Sequence, residues 1–185
     1  MKIKRKTGST LVVSPKSVPE EALSLPSELS TPSDRFTDYV TLIYGEKKIG
    51  KTSLCAEMEG TFFLMCEPGG KSLAIYQRPV SSWKEFCGYV SLIKKDRRFR
   101  TVVVYTVDLA YLYCTRAVCA KMGIEHPSDE EWGKGWNAVR EEFTRQVALL
   151  LSSGKGVVFT SHAVEKEVKT RAGGKYDRIV PTMPG

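Results

Sequence analysis

Short apolar runs alternate with longer segments of helical periodicity along most of this chain. Four runs rich in β-branched and aromatic residues cover 39–44, 61–66, 101–106 and 156–161. Such runs are typical of strands that are buried on both faces of a parallel sheet. A weaker run at 179–183 predicts one more strand.

The segments between these strands carry helix signals. Ser82 with Glu85, and Ser128 with Glu131, have the spacing of capping boxes, which mark helix N-termini. Helices are predicted over residues 51–59, 82–95 and 109–122, followed by a long helix that ends near residue 154. Strands that alternate with helices imply right-handed crossovers, so the sequence predicts an α/β fold with a mainly parallel central sheet and helices on both faces.

The first 36 residues differ in composition from the rest. They begin with several basic residues and continue with a Ser-, Pro- and Glu-rich stretch from Ser14 to Ser33, a composition that buries little. We therefore expect residues 1–36 to form a flexible leader, with Thr10–Val13 as a candidate short strand, and residues 37–185 to form the folded domain. The last predicted strand is weak and leaves the sheet unfinished, so a domain that is incomplete at its C-terminus is one expectation.

Charge and cysteine usage narrow the function classes. The 185 residues carry a net charge of +7, which favours a polyanionic partner such as nucleic acid, although many basic proteins bind only nucleotides. The five cysteines include no C-x-x-C pair, which argues against a disulfide framework and a zinc site. With neither a membrane-length apolar run nor a signal peptide, we expect a cytoplasmic protein with no membrane partner.

Residues Gly45–Thr52 match the phosphate-binding loop pattern G-x-x-x-x-G-K-[ST] at every fixed position. In such a loop the glycines let backbone amides surround phosphate, Lys51 reaches the β- and γ-phosphates, and the Thr52 hydroxyl binds Mg²⁺. A chance match in a loop of Gly and Lys is the alternative, but a strand before it and a helix after it favour a nucleotide site. The predicted nucleotide-binding residues are Gly45, Glu46, Lys47, Lys48, Ile49, Gly50, Lys51, Thr52 and Ser53.

Other polar residues follow the predicted strands. Glu67 ends the second strand, Tyr105 and Asp108 lie at the end of the third, and His162 follows the fourth. The carboxyl ends of parallel strands meet at the edge of the sheet that carries the phosphate loop. Nucleotide hydrolysis needs a metal-binding carboxylate, a group that orients water and a sensor of the γ-phosphate, and these positions are the candidates.

Four segments together resemble a known family: Tyr44–Ser53, Cys66–Gly69, Thr101–Asp108 and Phe159–His162. Over about residues 38–183 the chain resembles the RecA-like P-loop ATPases of bacteriophages, AAA-domain nucleotide-binding proteins related to single-strand annealing recombinases. The resemblance implies a RecA-like P-loop NTPase fold and a DNA-dependent ATPase that uses ATP and Mg²⁺ in phage DNA recombination, repair or replication. It also implies single-stranded DNA and further copies of the chain as partners, in the cytoplasm of a bacterial host.

The resemblance assigns catalytic roles to two residues. Glu67 matches the glutamate that polarises the attacking water, and His162 matches the polar residue, usually glutamine, that senses the γ-phosphate. The alternatives are a solvent-facing carboxylate at a strand end and a surface histidine. His126, in a loop before Pro127, has no such match and is expected to be structural.

Tyr105 departs from the family pattern, which has a metal-binding aspartate at this position. A phenol is neutral at pH 7 and is a poor ligand for a hard dication. Asp108 is a weak substitute metal ligand beside Thr52, and we expect it instead to cap the following helix. Weak or absent turnover is therefore expected, and a nucleotide-gated DNA-binding module without hydrolysis and a small-molecule kinase remain alternatives.

The charged segment 164–178 contains Gly173-Gly174 and predicts a mobile loop or a hairpin tip. RecA-like proteins carry a DNA-binding loop here, so Lys166, Lys169 and Arg171 are DNA-binding candidates that could also reach the nucleotide of a neighbouring subunit. Trp132 and Trp136 suit stacking on bases or docking of a subunit, but we expect both to pack in the core.

Overall fold

The computed structural model describes residues 25–171 and 173–183. The chain divides into two units, Met1–Pro32 and Ser33–Gly185. The described part of the first unit, residues 25–32, contains no helix or strand. The candidate strand Thr10–Val13 lies outside the described residues. Every helix and strand below belongs to the second unit.

A six-stranded sheet forms the centre of the second unit. Five strands are parallel in the order β1-β5-β4-β2-β3, and β6 pairs antiparallel with the outer part of β5. The mainly parallel sheet predicted from the sequence is therefore confirmed. The strands are β1 Val40–Gly45, β2 Thr61–Met65, β3 Tyr76–Pro79, β4 Thr101–Tyr105, β5 Gly156–Lys169 and β6 Lys175–Pro181.

In the part of the chain that the structure describes, four α-helices connect the strands and cover both faces of the sheet. They are α1 Lys51–Ala56, α2 Trp83–Ile93, α3 Val107–Met122 and α4 Lys134–Leu151. Short 3₁₀ helices lie at Phe36–Asp38, Pro127–Asp129 and Glu131–Gly133. None of the helices in residues 25–171 and 173–183 is long and apolar enough to cross a membrane.

Alternate residues of the buried strands face different helices. In β2, Phe62 and Leu64 belong to the core that includes α2, α3 and α4, whereas Phe63 and Met65 pack with Cys55 of α1 on the other face. Because both faces are covered, every residue of β2 is buried, and the strand is apolar throughout rather than alternating.

One of the two predicted capping boxes is wrong. The Ser82 side chain accepts a hydrogen bond from the Glu85 amide and caps α2, as expected. By contrast, the imidazole of His126 caps the 3₁₀ helix Pro127–Asp129, which keeps Ser128 from starting a helix. Pro127 at the first position of that short helix favours the local turn, and α4 begins later, after Gly133.

Two strand features differ from the sequence prediction. β3 is a four-residue edge strand of mostly exposed residues, which has no buried run to reveal it. β5 continues eight residues beyond the predicted end at Ser161 and pairs with β6 in a hairpin, so of the two predicted alternatives for this segment the hairpin tip at Gly173-Gly174 is confirmed and the mobile loop is wrong. The length of the two strands was not predicted, because their residues are mostly exposed and charged and show no apolar run.

Candidate functional site

The phosphate-binding loop connects the end of β1 at Gly45 to the start of α1 at Lys51. Gly50 has a φ of 99°, in the left-handed region that glycine adopts with little strain. Lys48 also has a positive φ, 66°. The positive φ angles of Gly50 and Lys48 turn the backbone of the loop tightly toward the helix, as a backbone nest for an anion requires.

Lys51 is anchored beneath the loop. Its side chain is buried, and its Nζ donates hydrogen bonds to the carbonyl oxygens of Gly45 and Glu46, each at 2.8 Å. An ammonium group has three N–H donors, so one remains for a phosphate oxygen. The fold therefore positions Lys51 as the sequence motif predicts.

A cavity of about 230 Å³ lies against the loop. This volume is below the range of about 300–1,000 Å³ that holds whole small-molecule ligands, and it suits a phosphate tail better than a complete nucleotide. None of its nine lining residues carries a carboxylate. They are Lys48, Gly50, Lys51, Thr52, Ser53, Gly70, Ser72, Leu73 and Tyr105.

Tyr105 lines this cavity from the carboxyl end of β4. Its carbonyl oxygen accepts hydrogen bonds from the amides of Cys66, at 2.6 Å, and Glu67, at 3.2 Å. These two bonds hold the backbone of Glu67 in place. A Cβ atom on Gly69 would lie 3.4 Å from the phenol ring, so the following turn closes tightly against it. A phenol thus lies in the cavity at the position where the resemblance places an aspartate.

The donor set of the cavity fits nucleotide phosphates better than it fits Mg²⁺. The loop supplies backbone amides and Lys51, and Thr52, which carries the hydroxyl that the motif assigns to the metal, also lines the cavity. Mg²⁺ in nucleotide sites is commonly held by one or two carboxylates with substrate phosphates and water. Here Thr52 would hold the ion with phosphate oxygens and water, and Tyr105 offers a phenol where a carboxylate would be the better ligand.

Glu67 and His162 meet at the same edge of the sheet. The His162 Nε2 and the Glu67 Oε2 lie 2.8 Å apart, and both side chains are about three-quarters buried. In the strand register His162 stands beside Gly45, the first residue of the phosphate loop. The structure therefore brings these two predicted catalytic residues together, although neither lines the 230 Å³ cavity.

Asp108 has a different position from the one expected. Its carboxylate accepts hydrogen bonds from the Ser161 hydroxyl at 2.8 Å, the Thr182 hydroxyl at 2.6 Å and the His162 amide at 3.3 Å. The expectation that it caps α3 is wrong, because α3 begins at Val107 and Asp108 points from its first turn toward β5. The structure does not bring Asp108 into the cavity with Thr52.

The three DNA-binding candidates do not share a surface. Lys166 stands opposite Arg178 in the β5–β6 hairpin, and Lys169 stands opposite Lys175. Side chains alternate between the faces of a strand, so Lys166 and Lys169 lie on opposite faces. Arg171 lies in the turn between the strands.

Arg178 was not predicted as a site residue, yet it forms a basic pair with Lys166 on one face of the hairpin. Val168 and Tyr176 are paired on that same face. The predicted strand ended at Ser161, so the alternation of side chains between the two faces of the hairpin was not applied to Lys166 or Arg178. The charged composition of this segment is typical of a loop and does not indicate a strand.

Of the two tryptophans near His126, Trp136 packs against other residues and Trp132 is exposed to solvent. The His126 Nδ1 accepts a hydrogen bond from the Ser128 amide at 3.2 Å, and its ring lies 5.5 Å from that of Trp136. The Trp136 indole donates to the Ser128 hydroxyl at 3.1 Å. Trp132 is 90% exposed, so the expectation that it packs in the core is wrong.

Comparison with known proteins identifies the family. Residues 37–185 match the AAA domain family. The chain is also 30% identical over 152 residues to the SPbeta prophage-derived uncharacterized protein YorG of Bacillus subtilis (strain 168). That alignment covers 78% of this chain and 47% of the relative, so the match spans about half the relative's length. With its phosphate loop and mainly parallel sheet, the chain belongs to the AAA domain family and has the α/β P-loop NTPase fold.

Proposed function

We propose that this protein is a RecA-like, DNA-dependent ATPase of phage DNA recombination, repair or replication, with residues 37–185 as its ATP-binding domain. ATP and Mg²⁺ are its ligands, and hydrolysis is slow. The observation that carries the proposal is the arrangement at one edge of the sheet: the phosphate loop with Lys51 lies directly beside the Glu67–His162 pair.

ATP binding is supported by the loop. Lys51 is held in place by two carbonyl oxygens, and the adjoining cavity has the size of a phosphate tail. The loop amides and one ammonium bind phosphate without help from a carboxylate. Binding is therefore expected to be retained even though Tyr105 replaces the metal-binding aspartate.

Hydrolysis is supported by the Glu67–His162 pair. In the proposed role Glu67 orients the attacking water and His162 responds to the γ-phosphate. The 2.8 Å contact between them means that a movement of His162 toward phosphate would change the position of the Glu67 carboxylate. Tyr105 limits the rate, because Mg²⁺ then lacks a carboxylate ligand at the end of β4.

Dependence on single-stranded DNA is supported by the path of β5. This strand runs without interruption from the sheet through His162 into the hairpin. Lys166 and Arg178 lie directly opposite each other, and like charges in this arrangement repel unless an anion lies between them. DNA bound to this face would contact Lys166 on β5, the same strand that carries His162, and could in this way change the position of His162.

The remaining parts of the proposal concern assembly and location. We infer a homo-oligomer on single-stranded DNA in the cytoplasm of a bacterial host. The prophage origin of the relative supports the phage context. The net charge of +7 supports a polyanionic partner.

The ATP site is tested by comparing Lys51→Ala with Lys84→Ala in a fluorescent ATP-analogue titration. Lys51 is buried beneath the loop, whereas Lys84 is an exposed residue of α2 outside the loop, so only Lys51→Ala should weaken binding, by about ten-fold or more. Equal binding by the two variants and the unchanged protein would refute the phosphate loop as the ATP site.

A nucleotide-gated DNA-binding module without hydrolysis is the second candidate. It is favoured by one observation, the lack of a carboxylate among the residues that line the cavity. Such a module would bind DNA with an affinity that depends on ATP while producing no ADP. Measuring DNA affinity with ATP and with ADP, alongside ADP release, separates the two candidates.

A further inference from the structure

A basic turn lies at the end of the sheet opposite the phosphate loop. Residues 94–100 precede β4, and the phosphate loop follows β1. Because these strands are parallel, the turn lies at the amino ends of the strands, here called the amino edge of the sheet, and the loop lies at their carboxyl ends. The turn contains five cations and one acid. It reads Lys94-Lys95-Asp96-Arg97-Arg98-Phe99-Arg100.

Next to this turn is a cavity of about 450 Å³ with aromatic walls. Its aromatic lining is Phe62, Tyr76, Tyr89 and Phe99. Tyr76, on the edge strand β3, is 70% exposed, and its ring lies 5.4 Å from that of Phe99. A volume of this size holds a small planar ligand such as a nucleobase.

The turn is held in shape by Lys155, which donates hydrogen bonds to the carbonyl oxygens of Asp96 at 2.6 Å and Phe99 at 2.8 Å. The Asp96 carboxylate accepts hydrogen bonds from the Arg98 guanidinium and amide. The Arg98 guanidinium also lies 5.1 Å from the centre of the Phe99 ring. The Phe99 side of the cavity is thus held in place by contacts within the protein.

Other cations at this edge are available to a ligand. Within residues 25–171 and 173–183, Lys94, Lys95, Arg97 and Arg78 take part in no ion pair, and all four are exposed. Arg78 lies two residues after Tyr76 on β3 and also lines the cavity. Arg78 and Arg98 therefore line the cavity together with the exposed Tyr76 ring, and Lys94, Lys95 and Arg97 lie in the adjoining turn.

We propose that this aromatic and basic edge is a second binding surface for single-stranded DNA. A base stacks on Tyr76, and the backbone phosphates lie along Lys94, Lys95 and Arg97. Single strands present unpaired bases for stacking, which duplex DNA does not, and a groove of cations with aromatic platforms is how proteins bind them. An acidic peptide would use the cations but leave the exposed Tyr76 ring without a role. The choice of DNA over RNA rests on the proposed function.

The test uses fluorescence anisotropy with a labelled oligo-dT of about 16 nucleotides, oligo-U of equal length and a matching duplex. Tyr76→Ala should weaken oligo-dT binding about ten-fold, whereas Tyr76→Phe, which keeps the ring, should bind as the unchanged protein does. Replacing Lys94, Lys95 and Arg97 together by Glu should reduce the slope of log K against log salt by about 2.

Three controls make the result specific. Replacing Lys84, Arg116 and Arg140 by Glu makes the same change in net charge at exposed helix positions and should leave most of the binding intact. ATP-analogue binding should be unchanged in every edge variant, because the nucleotide site lies at the other end of the sheet. A hairpin variant, Lys166→Gln with Arg178→Gln, reports separately on the DNA contact of the proposed function.

Several results would overturn the inference. These are no oligo-dT binding by the unchanged protein, equal binding by Tyr76→Ala, or equal losses in the edge and control triple variants. Tighter Tyr76-dependent binding of oligo-U would overturn the assignment to DNA in favour of RNA. If only the hairpin variant lost binding, the edge surface would be refuted while the proposed function stood. If only the edge variants lost binding, the hairpin contact would be refuted and the edge surface supported.

Discussion

Lys51 and Tyr105 face the same small cavity, but they have different consequences for a bound nucleotide. Lys51 brings a buried positive charge and two hydrogen bonds that fix its position. Tyr105 brings a phenol to the position where the family resemblance implies a metal-binding aspartate. At the scale of single residues, the site is therefore better suited to holding phosphate than to cleaving it.

Glu67→Gln tests the water-orienting role of the Glu67 carboxylate. The amide keeps the size of the side chain but is a much weaker base, so we expect turnover to fall about 100-fold while ATP binding is unchanged. The control is Glu165→Gln, which neutralises an exposed carboxylate on β5. The measurement is ADP release at saturating ATP. Equal turnover by Glu67→Gln and Glu165→Gln would remove Glu67 from the mechanism.

The cysteines provide a test of burial. Burial raises the pKa of the Cys66 thiol to about 12 and that of Cys55 to about 11. Since the thiolate is the reactive form, these thiols should react very slowly at pH 8 in the folded protein and quickly after unfolding in urea. Reaction with Ellman's reagent in the absence and in the presence of urea measures the rates in the folded and the unfolded protein. Rapid reaction of Cys55 and Cys66 in the folded protein would show that the core around β2 is not packed as described.

At the scale of elements, the buried parts of the fold were predictable and the exposed parts were not. β2 and β4 have both faces covered, so their apolar runs mark them clearly. The meeting of Glu67 with His162 followed from parallel strands ending at one edge. Gly173-Gly174 marked the tip of the hairpin, but the length and pairing of its strands depend on register, and the position of Asp108 depends on where α3 begins. Local patterns encode neither.

The hairpin gives a prediction that depends on its two faces. Replacing Lys166 and Arg178 by Gln removes the basic pair next to Tyr176, so single-stranded DNA binding should weaken and its salt slope should fall by about 1.4. The matched control replaces Lys169 and Lys175, which lie on the other face, where Lys175 forms an ion pair with Glu167. A smaller effect is expected there. Equal losses from both pairs, measured by anisotropy, would contradict binding by one face.

At the scale of the whole molecule, the parallel sheet separates two kinds of chemistry. Its carboxyl edge carries the phosphate loop, the Glu67–His162 pair and the base of the hairpin. Its amino edge carries the basic turn and the aromatic cavity around Tyr76. This separation means that nucleotide binding and the edge surface can be altered independently by substitution.

The central claim is that the chain binds ATP well and hydrolyses it slowly because Tyr105 replaces a metal-binding carboxylate. The most direct test compares Mg²⁺-dependent ATP binding and hydrolysis, with and without single-stranded DNA, in the unchanged protein and in Tyr105→Asp. We predict similar ATP binding by both, slow DNA-stimulated turnover by the unchanged protein, and turnover roughly ten-fold faster or more in Tyr105→Asp. ATP binding by both proteins with no gain in turnover from the restored carboxylate would contradict the account.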